Sequence, residues 1–182
     1  MIELIVDNSP FLLEGLISTI LLSVFCIIVS LLIGVLVGTL RTTTNTIIVT
    51  ITKIYIELFR GLPVLVTLFL IFFLLPEVGI PLNSFFSAIV GLGVWASANI
   101  AEAVRGAIQS IPKAQTDASY ALGMKYSQTM LYVIIPQAVK RVIPSIIGLL
   151  TNLIQATSLT VFIGNIEFLK SAQIIVERIE VM

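Results

Sequence analysis

Histidine is absent from this 182-residue chain, cysteine occurs once, and charge is scarce: ten basic and ten acidic residues make up 11 % of the sequence. Without histidine, imidazole general-base chemistry and imidazole metal sites are excluded. The lone Cys26 sits inside an apolar run, so there is no intrachain disulfide and no cysteine-cluster metal site. No glycine is followed by lysine, and the chain therefore carries no P-loop of its own. A net charge of zero argues against a nucleic-acid partner. What is abundant is apolar. Hydrophobic residues make up 58 % of the chain, against about 45–50 % in soluble domains, and the mean hydropathy is +1.12. So few charges cannot cover a folded chain of this length, so much of its outside must face lipid. A soluble enzyme is excluded, and an all-α integral membrane protein is expected.

Four stretches lack Asp, Glu, Lys and Arg: Gly15 to Leu40, Gly61 to Pro76, Val78 to Ala101, and Val142 to Ile166. A spanning helix needs about 20 apolar residues. The second stretch is short but extends backwards through Ile51 to Phe59, where Lys53, Glu57 and Arg60 share one helical face. Four spans are predicted, at about 12–40, 51–75, 84–110 and 137–160, in one transmembrane domain covering residues 1–182. The leader carries Glu3, Asp7 and Glu14 and no basic residue, unlike a secretory signal, so the first span is a true one. Arg41, Lys53 and Arg60 lie between the first two spans or at their ends. Arg105, Lys113, Lys125, Lys140 and Arg141 lie around the third connection, whereas Pro76–Asn83 has no basic residue. The positive-inside bias then puts the N-terminus outside, and a tail of about 167–182 outside as well.

The connection at about 111–136 is the most informative region. Thr116 is placed to cap a short helix Asp117–Leu122, with Asp117 in its first turn and Gly123 as a left-handed terminator. A second helix is expected from Ser127, with Tyr126 and Leu131 as a hydrophobic staple, and Pro136 and Pro144 punctuate the start of the last span. Two short helices held against one membrane face can serve as a handle for another protein. An amphipathic helix lying idle at the interface is the plainer alternative.

Asp117-Ala118-Ser119, Gly123, and Val133-Ile134-Ile135-Pro136 resemble the EAA loop of the membrane subunits of bacterial ABC importers: Glu-Ala-Ala, three residues, Gly, nine residues, Ile-x-Leu-Pro. Gly123 and Pro136 match, while Asp117, Ser119, Val133 and Ile135 are conservative departures. Glu57-Leu58-Phe59-Arg60-Gly61-Leu62-Pro63 and the block from Glu102 to Pro112 resemble the polar-amino-acid branch. The resemblance implies a type I importer permease of MetI-like fold in the bacterial plasma membrane. It would pair with a second permease subunit, a copy or a sibling. It would also dock on an ATP-binding cassette subunit that holds ATP-Mg, and receive polar amino acids or similar solutes from an extracytoplasmic binding protein. This chain would itself be neither an enzyme nor a cofactor binder. The coupling helix would comprise Asp117, Ala118, Ser119, Ala121, Leu122 and Gly123.

Polar groups at membrane depth tend to face a cavity or a partner. Trp95, Asn99 and Glu102 form one stripe on the third span. Asn152, Gln155 and Ser158, with Thr157 adjacent, form another on the last. Asn99, Asn152, Gln155, Thr157 and Ser158 are thus candidates for a solute pathway, with helix-to-helix hydrogen bonding as the alternative role. Glu102 can pair with Arg105, and both are assigned a structural or gating role with Arg60 and Pro63. Gly34 and Gly38 form a GxxxG that lets another helix approach closely, with ordinary packing the plainer reading. Where amino-acid permeases often carry Lys-Asp-Thr-Ser-Leu, this chain has Gln155-Ala156-Thr157-Ser158-Leu159 and lacks both charges. In a transporter with two different permease chains, the sibling would hold the groups that meet a zwitterion.

Relatives of this kind usually continue into a fifth span beyond the segment matching Glu167–Glu180, which is expected to form a short surface helix here. Two rival readings follow: a stand-alone channel or secondary carrier, and a truncated remnant that does not transport. The carrier would need ionisable relays at mid-depth or an inverted repeat, and the sequence offers neither.

Overall fold

The first apolar run becomes one uninterrupted helix, α1 (Ser9–Leu40), in a computed structural model that describes residues 8–180. At 1.5 Å per residue it is about 48 Å long, more than the hydrocarbon core requires. The expectations attached to Glu3, Asp7 and the last two residues lie outside the described residues. The other elements are α2 (Thr46–Gly61), α3 (Val64–Glu77), α4 (Ser84–Gln109), α5 (Lys113–Ala121) and α6 (Tyr126–Thr129). A π turn (Met130–Ile134) leads into α7 (Ile135–Ala156), which tightens into a 3₁₀ segment (Thr157–Ile163) before α8 (Phe168–Glu180). No strand occurs among the described residues.

Three helical stretches are long and apolar enough to cross a membrane: Ser9–Leu40, Ser84–Gln109 and Tyr126–Ile163. Thr46–Gly61 with Val64–Glu77 makes a fourth if the broken pair is one crossing. The expected second span is thus two helices rather than one. Pro63 sits outside both with φ −57° and ψ 142°. Proline drives its predecessor, Leu62, away from α geometry and offers no N–H to continue the ladder. Pro144, expected to mark the start of the last span, lies inside α7 instead. The last span does not run as one α-helix to residue 160. The Thr157, Ser158 and Thr160 hydroxyls donate to the carbonyls three residues earlier at 2.6–2.8 Å, and the helix tightens there.

The chain packs as two compact units, the first made of Met1–Val29, Leu62–Trp95 and Thr151–Met182. Its interior holds Leu22, Cys26, Leu68, Leu92 and Leu153, all fully buried, and an edge-to-face pair of Phe25 and Phe85. The surface helix expected from the tail is α8. Glu167 caps it by accepting the Leu169 and Lys170 N–H groups at 3.0 and 2.8 Å. Thr19 Oγ1 accepts the Phe168 N–H at 3.0 Å and fixes α8 on α1.

The second unit comprises Ser30–Gly61 and Ala96–Leu150. Ile100, Val104 and Val142 form its core. Here the GxxxG is a true close approach. A methyl group on Gly34 would come within 2.7 Å of Ile100 Cβ, and one on Gly38 within 2.5 Å of the Ala101 carbonyl oxygen. Only glycine lets α1 sit this close to α4. Outside, Ile17, Val24, Ile28, Leu32 and Leu36 leave α1 with the exposed apolar surface expected toward lipid.

Candidate functional site

The connection between α4 and α7 lies wholly in the second unit. Its first helix begins a turn earlier than expected. Pro112 (φ −56°, ψ 135°) precedes α5, and Lys113, Ala114 and Gln115 are helix formers that need no cap at Thr116. Asp117 is therefore mid-helix rather than in the first turn. The far end follows the sequence rule closely. Gly123 adopts φ +76°, its N–H donates to the Tyr120 carbonyl at 2.9 Å, and the Met124 N–H donates to the Ser119 carbonyl at 3.1 Å. This pair of bonds is a Schellman motif, in which an L side chain would strain the backbone. The second helix starts one residue before the expected Ser127, and Gln128 Oε1 accepts the Lys125 N–H at 2.8 Å. Because Pro136 has no N–H to give, the ladder just before it widens into a π turn, closed by the Ile135 N–H on the Met130 carbonyl. Gln137 Nε2 supplies the Val133 carbonyl at 2.8 Å.

Five of the six expected coupling residues point outward. Asp117, Ala118, Ala121 and Gly123 are exposed, and Leu122 is 82 % exposed. Ser119 is the exception, at 3 %. Its hydroxyl meets Thr129 Oγ1 at 2.8 Å and donates to the Thr116 carbonyl at 2.7 Å. Ser119 therefore cannot touch a partner. It is a clamp between the two short helices, because a small hydroxyl at the inner face can satisfy a second buried hydroxyl. Arg141 Nη1 donates to the Ser110 carbonyl at 2.6 Å, tying the end of α4 to α7. The elbow is thus braced on both sides. It presents Tyr120, Leu122, Tyr126, Leu131 and Tyr132 as exposed large side chains.

The expected Glu102–Arg105 pair is present and bidentate, with Arg105 Nε on Oε2 at 2.9 Å and Nη2 on Oε1 at 2.6 Å. A third member joins from α2: Arg60 Nη1 lies 3.8 Å from Glu102 Oε1. Arg105 also donates to Gln109 Oε1. Close by, the Tyr55 hydroxyl and buried Ser97 Oγ share a 2.5 Å hydrogen bond, which spacing along the chain gave no means to foresee.

The pathway candidates divide. Asn152 and Gln155 lie on the exposed side of α7. Thr157 is buried and committed to the Ile154 carbonyl, and half-buried Ser158 donates to the Gln155 carbonyl. Asn99 is half-buried on α4 and already engaged. The polar stripe on the last span therefore offers two free amides and two hydroxyls turned to their own backbone.

Comparison with known proteins gives a consistent picture. Residues 30–178 match the model of the family described as the binding-protein-dependent transport system inner membrane component. The chain is 36 % identical over 169 residues to the probable glutamine ABC transporter permease protein GlnP of Bacillus subtilis (strain 168), covering 93 % of this chain and 78 % of that protein. It is 34 % identical over 173 residues to the probable amino-acid ABC transporter permease protein YckA of the same organism, covering 95 % and 76 %. A crystal structure of an amino acid ABC transporter with histidines has a chain that superposes with a TM-score of 0.86 at 30 % identity, covering 94 % of this chain and 80 % of that one. The MetNI methionine ABC transporter, in an inward-facing conformation, shares the fold at a TM-score of 0.70 and 24 % identity. With its apolar helices and its EAA-type elbow, the chain belongs to the inner-membrane components of binding-protein-dependent transport systems, the multi-pass permeases of ABC importers.

Proposed function

We propose that this permease forms one half of an import pathway for polar amino acids or related small solutes, driven by a separate ATPase that grips the α5 elbow. The observation that carries this reading is the elbow itself. Asp117, Ala118, Ala121, Leu122 and Gly123 are presented to the outside, while Ser119, Thr129, Arg141 and Ser110 brace them from behind. A rigid, exposed projection transmits a push, whereas a slack loop would absorb it. The amino-acid solute is supported by the similarity to a probable glutamine permease and a probable amino-acid permease. The mean placement of basic residues supports cytoplasmic segments at 41–60 and 105–141 and an external N-terminus.

In this scheme nucleotide binding brings two elbows together, one from each permease subunit, and the spans rock between inward-open and outward-open states. An external binding protein delivers the solute. Coupling is reciprocal, so loaded binding protein must stimulate the ATPase as surely as nucleotide moves the spans. The exposed amides of Asn152 and Gln155 would line the route, and the Arg60–Glu102–Arg105 cluster would act as a tie that opens or holds. Ser119 serves as the positioning residue of the elbow.

Gly123→Asp tests the scheme. Aspartate tolerates the left-handed region better than most residues, and nothing lies within 4 Å of a Cβ at this position. At φ +76° aspartate strains the turn less than most L residues would, and its charged side chain enters the docking face. In the native host, the variant should insert normally but lose co-purification with its ATPase and lose uptake. Unchanged co-purification and uptake would refute the coupling assignment. Uptake with no nucleotide-hydrolysing companion bound would favour a carrier acting alone.

A further inference from the structure

Beyond the transport scheme, a recess in the second unit has the chemistry of a ligand site. It has a volume of about 320 Å³ and is walled by Arg41, Lys53, Glu57, Arg60, Glu102 and Arg105. Four cations face two carboxylates, which leaves a local charge of +2. The carboxylates are already occupied. Glu102 is held bidentately by Arg105 with Arg60 at 3.8 Å, and Glu57 lies 3.7 Å from Lys53. Arg41, immediately after α1, makes no ion pair within 4 Å and no side-chain hydrogen bond to any described residue, although its charge acts on the Glu102 carboxylate. The guanidinium of Arg41 and the outer donors of Lys53 and Arg60 therefore remain available to an anion, and guanidinium groups match phosphate oxygens geometrically.

The rim decides what kind of phosphate fits. Along α2, Ile47, Ile51, Ile54 and Leu58 recur at helical spacing and are each at least half exposed. They form an apolar strip beside the row of Lys53, Glu57 and Arg60 on the same helix. A free phosphate has no use for such a strip, whereas a phospholipid would lay its acyl chains along it. We propose that this recess binds the phosphate headgroup of an anionic membrane phospholipid, with the lipid chains running along the exposed face of α2. Basic recesses between membrane helices attract anionic headgroups, each cation contributing about fivefold in affinity. Because Arg60 and Glu102 belong to both the recess and the gating tie, a bound headgroup would compete with Glu102 for Arg60. The tie would thereby become sensitive to lipid composition.

The test uses the full chain, delipidated in neutral detergent, with binding read by native mass spectrometry and by thermal stabilisation. Probes are phosphatidylglycerol, cardiolipin, phosphatidylcholine and inorganic phosphate. The expected result is retention of and stabilisation by phosphatidylglycerol or cardiolipin but not phosphatidylcholine, weakening as salt is raised. Arg41→Gln combined with Lys53→Gln should lower the affinity about 10–30-fold. Glu57→Gln should raise it several-fold, so the two variants move in opposite directions and a mere loss of folding cannot imitate the pattern. Equal binding of phosphatidylcholine, equal affinity in the double variant, or full competition by millimolar inorganic phosphate would each overturn the proposal, the last by assigning the recess to a soluble anion.

Discussion

Replacing Gly38 by alanine should destabilise this protein although alanine is the better helix former. A Cβ at this position would lie 2.5 Å from the Ala101 carbonyl oxygen, 2.8 Å from Val104 Cβ and 3.0 Å from Ala101 Cα. Two of those three atoms are backbone of α4 and cannot rotate away, so the helices must separate by several tenths of an ångström. Overpacking of this kind costs about 1–3 kcal/mol. The helix propensity of alanine returns about 0.5–1 kcal/mol. The net expectation is a loss of roughly 1–2 kcal/mol, or about 2–8 °C in melting temperature for a chain of this size. Gly106→Ala supplies the internal control on α4, because a Cβ there meets nothing within 4 Å. It should gain about 0.5–1 kcal/mol. The chain contains its own reporter: Cys26 is its single thiol and fully buried. Labelling by a thiol-reactive dye during a temperature ramp, alongside loss of helical circular dichroism, measures both variants in one detergent. If Gly38→Ala proves as stable as Gly106→Ala, the close approach does not exist and the packing argument for the second unit fails.

Two further outcomes follow from hydrogen bonds. Ser119→Ala removes the partner of buried Thr129 Oγ1 and should cost about 1–3 kcal/mol. A double-mutant cycle with Thr129→Val should return a coupling near 1 kcal/mol, and additive losses would show that the two hydroxyls do not interact. Thr19→Val deletes the acceptor of the Phe168 N–H. Amide exchange across residues 168–178 should then accelerate about fivefold, while protection in α4 stays unchanged. Uniform acceleration throughout the chain would mean that the bond holds more than α8.

What could be read from the order of residues alone was whatever is local. Charge-free runs named the helices long enough to cross a membrane, because burial in hydrocarbon depends on composition over about 20 consecutive residues. Gly123 marked the end of α5, since only a residue without a Cβ takes the left-handed terminator without strain. Glu102 and Arg105 were paired by a spacing of three. Pro63 announced a disturbance in the second span but not its size. One missing N–H permits either a kink or a full break, and packing on each side selects between them. The start of α5 lies at Lys113 rather than after Thr116, because the helix formers that follow Pro112 need no cap.

Tertiary structure decided the rest. Nothing in the spacing of Arg60 and Glu102, or of Tyr55 and Ser97, reveals that α2 and α4 meet. The position of Ser119 in the motif suggested a contact residue, yet burial turned it into a clamp. Gly34 and Gly38 read as ordinary membrane glycines until the distances to α4 showed that no larger residue fits. Sequence fixes which groups each helix carries and at what angle around its axis. Which of those faces meet is a property of how the helices pack, and every functional pairing described above between separate elements arises at that level.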